Sequence, residues 1–527
     1  MRSLAIVGGG PAGLFLARMV GLTRPDVSID VYERNGPGDV FGFGVTLSDR
    51  TMRGIAERDP VTHRRITDAS TVMTGVEVRP PGHRFRYDGF GGAAISRFTL
   101  LTILREQAEA VGTRIHFHHE VDPADPPHAD VVAVADGANS AHRADSAAAF
   151  GTRTETGTAR YIWLGSTAEF DGVSALVFEH TPWGPMAAHC YTYGTGAIQP
   201  GAPASLSTVV VELDDRTWRS AGLHTAVGSQ GEIDPTALDL LTGVFAEHLG
   251  GHKLISNFSR WGTFTVVRNT RWHAGNTVLL GDAAHTAHFT VSSGTKLAME
   301  DSLALAAALA EHGDSTDPAA AFAAYQAARA EPVGRTQRWA EPSMYWWETY
   351  GRRMHLPAAQ FGLHFVTRTA AVSYLGLRRR CAERVDEAEA EFFTAAGHPP
   401  APVSAATLPL RLGAVELPRR VVDKSTVDGV LTELACPIGT EREAASDELV
   451  RAAAATTGVL LRADPDRWHD TLRHASRVRT EAGVPVAVLV PAGWSDDLAR
   501  DPRVDPWPTR IHLALVTGRI DLAVVDG

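Results

Sequence analysis

The chemically suggestive residues begin at the start of the chain, where Gly8-Gly9-Gly10-Pro11-Ala12-Gly13 follows the apolar run Leu4-Ala5-Ile6-Val7. A short unbroken apolar run is what a strand buried on both faces requires. Gly8 permits a tight turn, Gly10 lets the backbone approach a pyrophosphate, and Gly13 lets the next helix pack close to the strand. Pro11 and Ala12 open that helix, whose free N–H groups and dipole favour phosphate. The helical stretch Leu14–Leu22 leads to a second predicted strand, Ser28–Tyr32, followed by Glu33 and Arg34. Glu33 lies twenty residues beyond Gly13, where a carboxylate can accept the two hydroxyls of an adenosine ribose. Strand, glycines, helix, strand and acid in register make a dinucleotide site, for FAD or NAD alike.

Two later clusters carry similar chemistry. A predicted strand over Asp130–Ala135 runs into Asp136-Gly137-Ala138-Asn139-Ser140-Ala141-His142-Arg143. Another, Thr277–Leu280, ends in Gly281-Asp282-Ala283-Ala284-His285. An acid at a strand's end beside a helix N-terminus can hydrogen-bond sugar hydroxyls while the dipole faces the ligand. The first cluster resembles the DGxxSxxR pattern of flavoprotein hydroxylases. The second resembles the GDAAH motif whose aspartate contacts the ribityl chain of FAD. In this order and spacing the three motifs resemble the group A FAD-dependent aromatic monooxygenases, the para-hydroxybenzoate hydroxylase fold.

That resemblance implies an α/β chain in which a Rossmann-like FAD-binding domain is interleaved with a mixed-sheet substrate domain. It also implies non-covalent FAD, NAD(P)H and O₂ as co-substrates, and oxygen delivered from a flavin C4a-(hydro)peroxide. No second GxGxxG is visible, so NAD(P)H would bind transiently. Arg97, at the start of a predicted helix over Thr99–Ala110, matches the family's flavin-contacting arginine. Alternating segments such as YIWLGSTAEF and LSTVVVEL place the substrate sheet at about residues 155–265.

Further stretches are similar to a narrower branch, the aryl-CoA monooxygenases such as salicyloyl-CoA 5-hydroxylase and 2-aminobenzoyl-CoA monooxygenase/reductase. They are Phe41–Arg50, which includes Gly44 and Val45; Tyr161–Gly165; His285–Phe289; and Ser293–Asp301, which includes Gly294 and Thr295. The similarity spans residues 1–395 and implies a CoA-thioester substrate. Arg352 with Arg353, and Arg378 with Arg379, are candidates for its phosphates, since guanidinium forks suit phosphate oxygens. His285 and His288 are candidate proton relays. Lys296 is singled out because Lys253, Lys296 and Lys424 are the three lysines among 50 basic residues. A compact ammonium there would stabilise negative charge on reduced flavin or hold a substrate carbonyl.

Beyond a Pro- and Ala-rich linker at 396–407, residues 408–527 begin with a stretch resembling the opening of the FMN-binding old-yellow-enzyme barrel that those relatives carry. Only 105 residues follow Val422, whereas such a barrel takes about 250. The tail is therefore expected to be a degenerate, truncated α/β remnant without FMN, serving packing or homodimer formation. Loss of a reductase half leaves oxygenation alone. The flavoprotein dioxygenases of bacterial tropone and tropolone biosynthesis resemble this same branch. They couple ring epoxidation with oxygenolysis of a cycloheptatriene carboxyl-CoA, and this stands as an alternative function. A flavin dehydrogenase or reductase without a stable hydroperoxide is a second.

Composition narrows the classes. A chain of 527 residues has room for two or three domains. Its net charge of −11 argues against nucleic acid, and no basic tract suggests a membrane surface. Cys190, Cys381 and Cys436 show no CxxC spacing, so a reducing cytoplasm and no metal site are expected. Neither a signal peptide nor a membrane span is expected from the apolar runs.

Overall fold

The run Ser3–Val7 pairs in parallel with Ser28–Tyr32 on one side and Val131–Val134 on the other. Arg114–His116 and Thr277–Leu279 extend the sheet outward, and His273–Ala274 closes one edge antiparallel. Leu4, Ile6 and Val131 to Val134 are all buried, as strands covered on both faces must be. Helices Pro11–Thr23, Arg97–Glu109 and Gly294–His312 supply much of the apolar cover. The last begins three residues before the Leu297 start that hydrophobicity suggests.

The computed structural model describes all residues except 40–41, 195–204, 227, 229–230, 313–316, 370, 400–403, 438–441, 463–467, 491–504 and 526–527. Phe41 and part of the 396–407 linker lie outside the described residues. Two compact units are present: Met1–Glu77 with Asp88–Glu348, and Val78–Tyr87 with Thr349–Gly527.

The first unit also holds most of an eight-stranded mixed sheet. Its strand order is Leu254–Ile255, Arg160–Ser166, Ser205–Leu213, Gly184–Gly194, Val173–Thr181, Thr71–Arg79, Phe85–Ser96 and Gly44–Leu47. Three of these strands precede the expected start at about residue 155, because the segments after Ser28–Tyr32 leave the nucleotide sheet to join this one. Register assigns its faces. Ile162, Leu164, Val177, Ala188, Val209 and Val211 lie on one face and form an aliphatic core. Tyr161, Trp163, Phe178, His189, Tyr191, Thr208 and Glu212 lie on the other.

In the second unit a five-stranded sheet is parallel throughout, in the order Val421–Asp423, Leu522–Val525, Val486–Val490, Val459–Arg462 and Thr432–Leu434. Helices Arg442–Ala454, Trp468–Glu481 and Trp507–Val516 alternate with its strands, so the expected α/β character holds. A hairpin, Leu410–Leu412 with Val415–Leu417, precedes the sheet.

Candidate active site

The glycine turn has the geometry its sequence suggests. Gly8 has φ of +109°, and a Cβ there would lie 2.4 Å from the Ala135 carbonyl oxygen. A Cβ on Gly13 would lie 2.0 Å from the Gly8 carbonyl oxygen. By contrast, a Cβ on Gly10 would meet no atom of the described residues within 4 Å. The backbone thus closes tightly at Gly8 and Gly13 and stands open at Gly10, before the N-terminus of helix Pro11–Thr23. Glu33 borders this space: Oε2 accepts from the Gly9 N–H at 2.8 Å, and Oε1 accepts from Asn35. Arg34 beside it is exposed.

The second and third motifs interlock. Ser140 caps its short helix by accepting from the Arg143 N–H. The buried Arg143 guanidinium then donates to the Ala283 carbonyl at 3.1 Å, inside the Gly281–His285 turn. Asp136 meets His142 Nδ1 at 3.1 Å, while its other oxygen, Oδ1, is buried without a hydrogen-bond partner among the described residues. Gly137 follows with φ of +87°. Gly281 has φ of +60°, and a Cβ there would press on Ala12 Cβ at 3.0 Å and Ala298 Cβ at 3.4 Å. The turn, the first helix and the start of helix Gly294–His312 therefore converge. Gly294 and Thr295 lie at that helix N-terminus, and a Cβ on Gly294 would stand 4.0 Å from Asp282 Oδ1.

Arg97 and Asp282 carry opposite charges close enough to shift each other's ionisation. Both side chains are reached by solvent, yet both are enclosed deeply enough for desolvation to govern their ionisation. Enclosure lowers the pKa of Arg97 and raises that of Asp282, and the two charges partly offset each other's shift. Opposite charges that stay open to solvent, with no ion pair between them among the described residues, suit a ligand carrying both polarities. Gly44 and Val45 pair with Ser96 and Ile95, and Tyr191 donates to the Gly44 carbonyl at 2.7 Å. This brings Gly44 and Val45 beside Arg97.

The two histidines part company. His285 is buried against Trp272, with ring centroids 4.9 Å apart, and its Nε2 lies 2.8 Å from Asp301 Oδ2. Asp301, itself inaccessible, also accepts from the Gly281 N–H at 3.0 Å and from Arg329 Nε at 2.8 Å. His285 thus belongs to the support under the turn. His288 instead stacks on Phe289 at 4.4 Å and meets Phe264 edge-on at 4.8 Å. Phe289 in turn contacts Tyr161 at 5.0 Å and Trp163 at 5.3 Å across the polar-aromatic face of the sheet. Glu212, His189 and Asp301 escaped the sequence reading; the signal for Glu212 was a lone acid inside the valine run VVVEL.

Lys296 is half-buried on the first turn of helix Gly294–His312. Burial lowers its pKa; Glu300 opposes that shift, and Arg50, Arg329 and Arg335 add to it. The arginine candidates for phosphate lie in the second unit. Arg353 is buried and donates to Thr349 and Ser476. Arg352 pairs with Glu481 at 3.0 Å, and Arg378 with Asp386 at 2.7 Å. Arg352 and Arg379 are exposed. Among the described residues no group of His, Cys, Asp or Glu could hold a metal, and no helix is long and apolar enough to cross a membrane.

Residues 2–340 match the FAD binding domain family, and the chain belongs to it. It is an FAD-dependent aromatic monooxygenase. It is similar to a salicyloyl-CoA 5-hydroxylase from Streptomyces sp, 40% identical over 80% of this chain and 78% of that one. It is also similar to a 3-hydroxy-4-methyl-anthranilyl-(aryl-carrier protein) 5-monooxygenase from Streptosporangium sibiricum, 35% identical over 71% of this chain and 96% of that one. In fold it resembles the tetrameric form of 2-methyl-3-hydroxypyridine-5-carboxylic acid oxygenase, with a TM-score of 0.52 and 17% identity over 70% of this chain and 98% of that chain. The open Gly10, the unpartnered Asp136 oxygen and the opposed charges of Arg97 and Asp282 fit FAD.

Proposed function

We propose that this protein hydroxylates the ring of an aryl thioester carried on CoA, consuming NAD(P)H and O₂. The observation that carries the reading is the 40% identity with a salicyloyl-CoA hydroxylase over most of both chains. The second relative is likewise named for a carrier-bound aryl group, an anthranilyl group on an aryl-carrier protein. The balance is ArH + O₂ + NAD(P)H + H⁺ giving ArOH + H₂O + NAD(P)⁺. Bound FAD supplies the electrophilic oxygen, drawn from O₂ after reduction.

The chain's own residues do the rest. Gly8, Gly10, Pro11, Ala12 and Gly13 receive the pyrophosphate, and Glu33 the adenosine ribose. Asp136, Gly137, Gly281 and Asp282 meet the sugar and ribityl hydroxyls. Arg97, Gly44, Val45, Gly294 and Thr295 border the ring system. Phe289, Tyr161 and Trp163 keep water from the reacting ring. Of the four arginine candidates for CoA phosphates, Arg353 is committed by burial, Arg352 and Arg378 would have to share their acidic partners, and exposed Arg379 carries none of these ties.

The test is substrate-stimulated NAD(P)H oxidation with salicyloyl-CoA, benzoyl-CoA, a cycloheptatriene carboxyl-CoA and the matching free acids. Thioesters of hydroxylated rings should stimulate oxidation at least about tenfold over free acids. Equal rates with acid and thioester would sink the reading. Turnover of the cycloheptatriene thioester would favour ring epoxidation with ester cleavage.

Residues 408–527, after the 396–407 linker, act on this reading as a packing or dimerising appendage without FMN. The parallel sheet in which the first strand, Val421–Asp423, pairs with the last, Leu522–Val525, is what a barrel shortened internally would leave. Acid-extracted protein should yield FAD without FMN by chromatography; stoichiometric FMN would overturn this.

Lys296→Met should keep FAD but slow its anaerobic reduction by NAD(P)H about tenfold, roughly 1.4 kcal/mol of barrier. A half-buried ammonium close to the flavin would otherwise favour the anionic reduced ring. Unchanged stopped-flow rates would return Lys296 to a structural role.

A further inference from the structure

Glu212 is a fully buried carboxylate in the middle of the substrate sheet. Register sets it directly opposite Tyr161 on the neighbouring strand. His189, from the strand on its other side, reaches it at 3.0 Å through Nε2. His288, from the loop that carries the Gly281–His285 turn, approaches through Nε2 at 3.9 Å. Trp347 of the long helix Ala319–Glu348 packs on His189 with ring centroids 3.9 Å apart. The same helix supplies Ser343, which meets Thr290, the hydroxyl bonded to His288 Nδ1. Phe289 contacts both imidazoles and Tyr161. An isolated buried carboxylate is costly, and one paired with imidazoles is tolerated because the group can share protons and stay near neutral.

We propose that His189, Glu212 and His288 form a buried proton-exchange centre on the substrate face, which selects aromatic substrates bearing an ionisable ring hydroxyl. This deepens the hydroxylase reading and rests on it. The substituent's O–H bond breaks, its electron pair stays on the ring oxygen, and an N–H bond forms at an imidazole. Glu212 stabilises the resulting imidazolium, and reverse transfer returns the proton when product leaves; no electron moves. Glu212 is a positioning residue, and the imidazoles are the exchanging groups. Tyr161 completes the titratable ring around the centre: burial raises its pKa, as do Glu212 and Asp282.

The experiment is ultraviolet difference spectroscopy of ligands bound to the FAD-loaded protein across pH. Wild type should bind salicyloyl-CoA in its ionised form at a pH at least about one unit below the free thioester's own midpoint. Glu212→Gln should move that midpoint up by about one unit, with benzoyl-CoA affinity kept within about twofold. Glu212→Asp should recover part of the shift. An identical midpoint in wild type and Glu212→Gln would overturn the proposal, as would equal loss of both ligands. If Glu212→Gln does not retain FAD, His189→Asn gives the same reading. Salicylate forms a separate arm: a shifted midpoint with the acid as well as the thioester removes the CoA assignment and leaves the proton centre standing.

Discussion

Gly10→Val should give a folded protein that purifies without FAD, whereas Gly13→Val should fold poorly whether or not FAD is present. The two glycines sit three residues apart in one turn and face opposite environments. A valine at Gly10 projects into space with no atom of the described residues within 4 Å of its Cβ. It fills the volume before the helix N-terminus, where the proposed reading puts the pyrophosphate. Flavin affinity should fall at least about a hundredfold, ~2.7 kcal/mol, with little change in the melting of the FAD-free protein. At Gly13 the added Cβ would lie 2.0 Å from the Gly8 carbonyl oxygen and 3.0 Å from Ile6 Cγ2. One is backbone and the other is core, so strand and helix must separate, and overpacking of this kind costs about 1–3 kcal/mol or more. Circular-dichroism melts with and without added FAD, together with flavin content after gel filtration, distinguish the two outcomes. Gly10→Val protein carrying stoichiometric FAD would refute the assignment of that space to the cofactor.

The contrast shows what was legible in the chain. Local signals sufficed for the nucleotide sheet: Ser28–Tyr32 was delimited without error, and Asp130–Ala135 and Thr277–Leu280 overran by a residue or so at their ends. These strands are unbroken apolar runs next to glycines, so pattern and tertiary role coincide. The eight-stranded sheet was only half visible. Its strands Gly44–Leu47, Thr71–Arg79 and Phe85–Ser96 are far from the others in sequence, and only long-range pairing places them there. The site divides in the same way. The glycine turn and the Gly281–His285 turn, which we propose meet the cofactor, owe their shape to local backbone geometry that the sequence displays. Glu212, His189 and Asp301 matter through partners 16 to 76 residues away, as with the His285–Asp301 and His288–Glu212 contacts, and spacing carries no trace of such contacts. The arginine pairs illustrate the converse. Arg353 looked like a free phosphate ligand in sequence, yet burial and bonds to Thr349 and Ser476 commit it.

Asp301→Asn should be the most damaging of the conservative changes, lowering stability by roughly 3–5 kcal/mol and weakening FAD through a residue the flavin need not touch. Asp301 is inaccessible and supports three groups at once: the Gly281 N–H, His285 Nε2 and Arg329 Nε. Asparagine keeps the volume and one acceptor, but removes the charge that balances Arg329 and turns N–H donors towards other donors. Arg329 then retains Glu300, at 3.0 Å, as its remaining acidic partner. The Gly281 N–H sits one residue before Asp282, in a left-handed turn that only glycine adopts readily. Loosening it lets the Asp282 carboxylate drift from its place near Arg97. The pH dependence carries a sign. Burial alone would raise the Asp301 pKa, yet His285 and Arg329 overcome that and hold it below the ordinary value of 3.8. A depressed carboxylate contributes stability that is present above its unfolded pKa and is lost as pH falls through its folded one. Wild-type protein should therefore lose this contribution only below about pH 4, while the variant lacks it at every pH and shows a flatter acid limb. Thermal melts of FAD-free protein from pH 3 to pH 8 test this. A variant melting within about 2 °C of wild type at pH 7, with flavin still bound at full occupancy, would show that the turn holds itself in place without Asp301.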